Sequence, residues 1–406
     1  MSEQWYRDYM QLAFQIDKAI HQVSPISFVD SYYGPVEWKA SVEVEDVRPA
    51  NEMVRAAMAL EDTLPIQGFS EQQSKFLAKQ VRAMETLSRK LNDEKFTMEE
   101  EAERCFDIRP AWVPESQFEH AHSLFEAILP GAGSIGERRK ARRKRYELTQ
   151  EKAHLLPGFM VRAMAEARRR TRTFIDLPAE ETVEVEAVKD MLGGGACWYL
   201  GNYCSRIVAN TDLPTVLSSL LELCCHEGYP GHHTEGVVKE RSLYREGGQV
   251  EQTMVMLLSP QCTIAEGIAT LALEMIFTAT EAEDWLAEHI YPEAGIEPDG
   301  VDMQKLREAE ALLEGVWGNA AIMLREGRSE AEVMQYMQKY MLISEERAPR
   351  YLEFIKTPFH ELYVFTYYYG RQLMLPRLQG ADRLDVFRGF LTQQLTPADL
   401  RQKSEG

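Results

Sequence analysis

Residues 217–233 constrain this chain more than any other stretch. Leu217, Leu220, Leu221, Leu223 and Cys224 make a helix that is apolar almost all the way round, and such a helix has to lie inside the protein. It runs straight into His226-Glu227-Gly228-Tyr229-Pro230-Gly231-His232-His233. Three of the nine histidines and a carboxylate therefore reach the interior within eight residues. Burying an ionised group is costly unless it is paired or bound to a cation. The fold must build a polar centre at the end of this helix. Upstream, Asn210-Thr211-Asp212-Leu213-Pro214 reads as the helix start, with Thr211 or Asp212 as cap and Pro214 in the first turn.

The spacing begins like H-E-x-x-H, in which two histidines one turn apart grip a metal and the Glu acts as a base. Four residues after His226, however, stands Pro230. On a regular helix, at about 100° and 1.5 Å per residue, His232 falls roughly 120° from the face of His226, and His233 roughly 10 Å along the axis. Neither could share a metal with it. Pro230 removes a backbone donor, and Gly231 permits dihedrals other residues avoid, so the helix is expected to break there. His232 then becomes the second ligand, with His233 as the alternative.

A third ligand is expected from Glu266, an isolated acid in the apolar helical run 253–277. Its competing reading is an ion pair with an arginine. Glu274, eight residues on, falls near the same face and is expected just behind the ligands. The metal site thus spans residues 210–275 and holds one Zn2+ ion.

Elsewhere the pattern is helical. Tyr9, Leu12, Ile16 and Ile20 mark a helix over 5–22, and residues 50–106 read as two or three more. Phe28 to Pro35 reads as a break. Residues 107–135, with five Pro and Gly, read as loop, and residues 303–345 as helices again. The β signal is confined to 182–209: alternating Thr182 to Glu186, then Gly193-Gly194-Gly195 and two short apolar runs. It predicts a hairpin or three-stranded sheet beside the motif helix, either structural or offering an edge to an extended peptide. The basic run Arg138 to Arg145 reads as a solvated helix face, with an anion-binding strip as the sharper alternative. In Tyr363 to Arg371, Tyr369 or Tyr368 and Arg371 are candidates to face the cleft, stabilising an oxyanion or gripping a carboxylate. His360 reads as a packing histidine.

A net charge of −19 argues against nucleic acid and anionic membranes as partners. The N-terminal residues lack signal-peptide character, and no stretch is apolar enough to span a bilayer. Six cysteines without C-x-x-C spacing suggest free thiols. The expected location is cytoplasmic; the oligomeric state is not legible.

With these residues in place, His226-Glu227-x-x-Pro-Gly-His-His followed by Glu266-Gly267-x-Ala269 resembles a widespread bacterial family of unassigned role, related to helical zinc peptidases of the gluzincin type. The resemblance extends to Asp30–Pro35, Tyr199–Tyr203, Asn210–Pro214 and Tyr363–Arg371, and so spans most of the chain. It implies a mainly α, two-lobed zincin-like body around a deep cleft, residues 1–406 forming a single catalytic domain. The chain departs from the family pattern at Ile268, usually Trp, and at Glu235, commonly Gln; both bear on pocket shape. The expected activity is zinc-dependent hydrolysis of an amide bond in a short peptide or small-molecule amide, with Glu227 as general base and Tyr369 and Arg371 assisting. A metal-binding or sensing protein without turnover, or a hydrolase of a non-peptide amide or ester, are the alternatives.

Overall fold

Periodicity at the N-terminus becomes packing directly. Tyr9, Leu12, Ile16 and Ile20 lie on one face of helix α1 (Ser2–Ile20), and all are buried. Each buried aliphatic side chain of this kind contributes about 1.5–3 kcal/mol. The computed structural model describes residues 2–189, 191, 194–212 and 214–401, and most of them are helical. The expected helices of 50–106 are Ala50–Thr63, Glu71–Leu91 and Met98–Phe106. Region 107–135 departs from expectation, because it contains the helix Glu115–Ile128. Pro114 stands at its N-cap and Pro130 beyond its end, so the prolines bracket a helix instead of excluding one.

The basic run forms the helix Ile135–Arg145, and several of its arginines have internal partners. Arg138 binds Glu126 and the Leu129 carbonyl, Arg142 stands 2.9 Å from Asp299, and Arg145 donates to the Glu297 carbonyl at 2.7 Å. These arginines tie loops to the body, while Lys140, Ala141, Lys144 and Arg145 stay exposed, so the solvated-face reading holds for one side of the helix.

Among the described residues the strands form two sheets. β1 (Val29–Tyr32) precedes β2 (Thr182–Val188), β3 (Gly195–Gly201), β4 (Cys204–Asn210) and β5 (Met254–Met256). The expected three-stranded sheet has the order β2-β4-β3, with β2 parallel and β3 antiparallel to β4. Gly193 and Leu213 lie outside the described residues. The second sheet, β1 antiparallel to β5, corrects the expectation that Phe28–Pro35 is only a break. β1 is four residues long and shifts register at Asp30, which removes the period-two pattern that would reveal a strand.

The predicted helix start at 210–214 also moves. Thr215 and Val216 pair with Glu147 and Leu148, and a short 3-10 turn over Leu217–Ser219 leads into α3 (Leu220–Glu227), after α2 (Leu156–Thr171). Tertiary pairing with the 146–148 segment overrides the local capping signal. Next come α4 (His232–Lys239), α5 (Pro260–Ile276) and α6 (Val364–Met374).

The two larger of three hydrophobic cores among the described residues meet at the site: one gathers α1, the 50–106 helices and residues near 320–365, another gathers α2, α3, α4 and the C-terminal helices. The smaller third packs Glu115–Ile128 against residues 306–316. α5 and α6 belong to both larger cores. Cys262 and Phe365 lie in the first core, while Ile268 and Met374 lie in the second. These two helices cross at backbone contact: a Cβ on Gly370 would stand 2.4 Å from the Thr263 carbonyl oxygen. Among the described residues no single helix is long and apolar enough to cross a membrane.

Candidate metal centre

The apolar face of α3 packs on α2 and α5, with Leu220, Leu221, Cys224 and Cys225 buried. That packing delivers His226 and Glu227 to the seam between the two cores. The helix stops at Glu227 and restarts at His232. Gly231 makes the restart possible: its amide donates to the Cys225 carbonyl, and a Cβ there would fall 1.9 Å from the His226 carbonyl oxygen. No other residue type fits so close to the preceding turn.

The break separates the two adjacent histidines. His232 turns towards His226, their rings meeting edge to face at 4.8 Å. His233 turns into the protein and has no accessible surface. Its Nδ1 lies 2.8 Å from Ser205 Oγ and its Nε2 3.1 Å from Glu181, which also accepts from Tyr229 and pairs with Arg168. Burial holds the His233 imidazole below its ordinary pKa despite Glu181. Both ring nitrogens are occupied, so the structure gives His233 an anchoring position and leaves the converging one to His232.

Glu266, on α5, faces the half-buried rings of His226 and His232. Its Oε2 stands 3.3 Å from His226 Nε2 and 3.8 Å from His232 Nε2, and the three ligand atoms lie within 4.8 Å of one another. The other oxygen, Oε1, accepts from Tyr363 at 2.6 Å. Oε2 is buried and has no aligned hydrogen-bond donor. An orphaned buried carboxylate oxygen is expensive, and here it points at two imidazole nitrogens. Burial opposes ionisation of Glu266, but the two histidines and Tyr363 hold its carboxyl below the usual range. Burial likewise opposes charging His226, and is outweighed by Glu266 and Glu227, which raise it to about 9. The cluster therefore favours a cation among these atoms. Two imidazoles and one carboxylate are the donor set that zinc takes in open, three-ligand sites.

Glu227 follows His226 and borders β3: a Cβ on Gly195 would stand 3.7 Å from its Oε1. Gly195 to Trp198 keep accessible surface at the edge of the sheet. Nearby, Glu222 and Glu314 have carboxyls raised by burial, Glu314 to about 7, although the Glu314 side chain remains 36% accessible.

Several expected contributors sit elsewhere. Glu274 does not back the ligands but binds Arg371 at 2.7 Å, and Arg371 also faces Glu314 at 3.8 Å. The Tyr369 hydroxyl accepts from the Ala111 amide at 2.7 Å. The tyrosines that approach the centre are Tyr363 and Tyr367; the latter's ring lies 6.4 Å from that of His226. Helix geometry accounts for this correction: Tyr363 and Tyr367 share a face, whereas Tyr368 and Tyr369 are turned roughly 100° and 200° away. His360 is buried and stacks on Tyr363 at 4.5 Å. Asp30, at the β1 register shift, is the residue whose role was least visible in sequence. It keeps accessible surface and interacts electrostatically with His232, Glu227 and Glu266, and burial raises its carboxyl to about 6.

Neither a protein-family model nor a curated protein matches the sequence. Solved structures do. A chain from Colwellia psychrerythraea, described as a lipoprotein, matches with a TM-score of 0.52 at 14% identity, over 87% of this chain and 66% of that one. This chain thus spans about two thirds of its length. A chain from Shewanella oneidensis, described as a lipoprotein of unknown function, gives 0.47 at 12% identity over 90% and 75%. Metallocarboxypeptidase 1 of Trypanosoma cruzi gives 0.36 at 11% identity over 98% and 95%. The first of these likenesses shows a shared fold.

Proposed function

We propose that this chain is a zinc-dependent amide hydrolase acting on short peptides, with residues 1–406 working as one catalytic unit. The observation that carries the reading is the buried, undonated Oε2 of Glu266 facing His226 and His232, with Glu227 next to His226 and bordering β3. His226, His232 and Glu266 would hold the ion. Zinc, when bound, supplies a Lewis acid that polarises a carbonyl and acidifies water. Glu227 takes the proton of the attacking water and returns it to the departing amine. Tyr363 fixes the Glu266 carboxylate through Oε1. Tyr367, on the same helix face and with its ring 6.4 Å from that of His226, would donate its hydroxyl proton towards a developing oxyanion. The accessible edge of β3 supports a peptide as substrate, since an extended backbone can pair with it. A reducing, cytoplasmic setting belongs to this reading, supported by six unpaired cysteines.

Metal analysis and peptide-library hydrolysis test it together. Purified protein should carry one zinc per chain, and His226→Ala, His232→Ala or Glu266→Ala should lose it. Glu227→Gln should keep the zinc and lose roughly 10²–10⁴-fold in rate, the usual contribution of a general base. Zinc retained by a wild type that cleaves nothing in the library would favour a binding or sensing role. Protein without metal, unaffected by the ligand substitutions, would remove the site altogether.

A further inference from the structure

We propose that β1 closes the outer edge of β3 a short way from the scissile bond, so that the centre cuts peptides only near a free chain end. This rests on the peptidase reading above and names its substrate class. Ladder parity fixes which main-chain groups of β3 point outward. β3 is the outer strand of the order β2-β4-β3. The Asn210 amide donates to the Gly194 carbonyl at 2.9 Å, which makes these two a hydrogen-bonded pair of the antiparallel ladder. Gly195, Cys197 and Tyr199, opposite Ala209, Ile207 and Ser205, then take the alternate positions, where N–H and C=O point away from β4. Tyr199 bears the parity out, because its amide donates away from the sheet, to Ser31 Oγ at 3.3 Å. Among the described residues no strand pairs with the outward amides and carbonyls of Gly195 and Cys197. Such a row is open to a second extended chain.

Distances along the strand set how much chain fits. A Cβ on Gly195 would stand 3.7 Å from Glu227 Oε1, so the scissile bond lies opposite the start of β3. At about 3.3 Å per residue, Tyr199 is roughly 13 Å further along. There β1 takes the lane. A peptide paired with β3 would run about 4.8 Å from it, in the space that Ser31 fills. Tyr33, just beyond β1, extends the wall: its ring meets that of Tyr199 at 5.2 Å, and a Cβ on Gly201 would stand 2.5 Å from its own Cβ. The wall is fixed from behind, since β1 pairs with β5 and the Tyr33 hydroxyl donates to the Gln252 carbonyl at 2.6 Å. Accessibility follows the same division: Gly195 to Trp198 keep accessible surface, and Tyr199 is buried. Room remains for about three extended residues between the scissile bond and the wall. An antiparallel peptide brings its N-terminal side to the wall and a parallel one its C-terminal side; either must end there.

Peptides without ends decide the matter. Zinc-loaded wild-type protein is incubated with linear peptides longer than the lane and with the same sequences cyclised head to tail, and the products are identified by mass spectrometry. Linear peptides should lose fragments of at most about three residues from one end, and the cyclic forms should stay intact. Release from the N-terminus would identify antiparallel pairing, and release from the C-terminus parallel pairing. Ser31→Gly combined with Tyr33→Ala removes the wall and should allow longer fragments to be released; Ser31→Gly alone is the second variant, read where the pair does not retain zinc. Cleavage of the cyclic peptides, or cuts that leave more than about three residues on both sides, would overturn the assignment. Unchanged fragment lengths in a wall variant that retains zinc would do the same. A zinc-loaded protein that cleaves no linear peptide would instead remove the peptidase reading itself.

Discussion

His232 and His233 are neighbours in sequence and face opposite environments. One converges with His226 on Glu266; the other is locked between Ser205 and Glu181. The sequence made the pair conspicuous but not divisible, because the partners of His233 lie 28 and 52 residues away. Glu266 was legible for the opposite reason: an acid alone in an apolar helix has few ways to be satisfied. Asp30 was not legible, since its bulge exists only through pairing with a strand more than 200 residues later. His360 carries a prediction at this scale. Burial lowers its pKa to about 4 from 6.5, so the folded state keeps the ring neutral. The associated stability is present above pH 6.5 and lost as pH falls from there towards 4, amounting to about 3 kcal/mol at the acid limit. Urea midpoints at pH 7.5 and pH 5 should therefore diverge less in His360→Phe than in the wild type.

At the scale of elements, the helices that hold the site were mostly readable and their meeting points were not. Apolar periodicity located α3, α5 and α6, and Pro230-Gly231 located the break. Periodicity does not say which faces touch. The α5–α6 crossing depends on Gly267 and Gly370, which read in sequence as ordinary breaks in otherwise bulky helices. Gly370→Ala would force the helices apart, because the new methyl meets the Thr263 carbonyl oxygen, a backbone atom. Overpacking of this kind costs about 1–3 kcal/mol. It should also displace Glu266 from Tyr363, so zinc affinity should fall together with the melting temperature; competition with a fluorescent chelator measures the first. Zinc affinity unchanged at a lowered melting temperature would show that the crossing supports the fold and not the site. The same limit explains Tyr369 and Arg371. Both lie on a helix that reaches the centre, but their turn of it faces Ala111 and Glu274.

For the whole molecule, the mainly helical class followed from composition and period, and the sheet beside α3 from alternation at 182–186. The seam between the two cores did not follow, because it is a property of which helices both cores share. A cation bound at that seam ties α3, α4 and α5 together, so it should stabilise the folded chain by mass action. At a zinc concentration 100 times Kd the gain is about 2.7 kcal/mol. With unfolding entropies typical per residue, that corresponds to about 3 °C in a chain of this size. Calorimetry before and after chelation should show the shift, and it should be absent in Glu266→Ala.

The stitching of the centre also bears on time. Tyr363 bonds Glu266 across 97 residues, and Ser31 bonds Tyr199 across 168. Contacts so distant along the chain form late, after local helices are in place. Zinc capture during refolding would then act as a clock for the last stage of assembly, lagging behind the helical signal and keeping pace with closure of the seam.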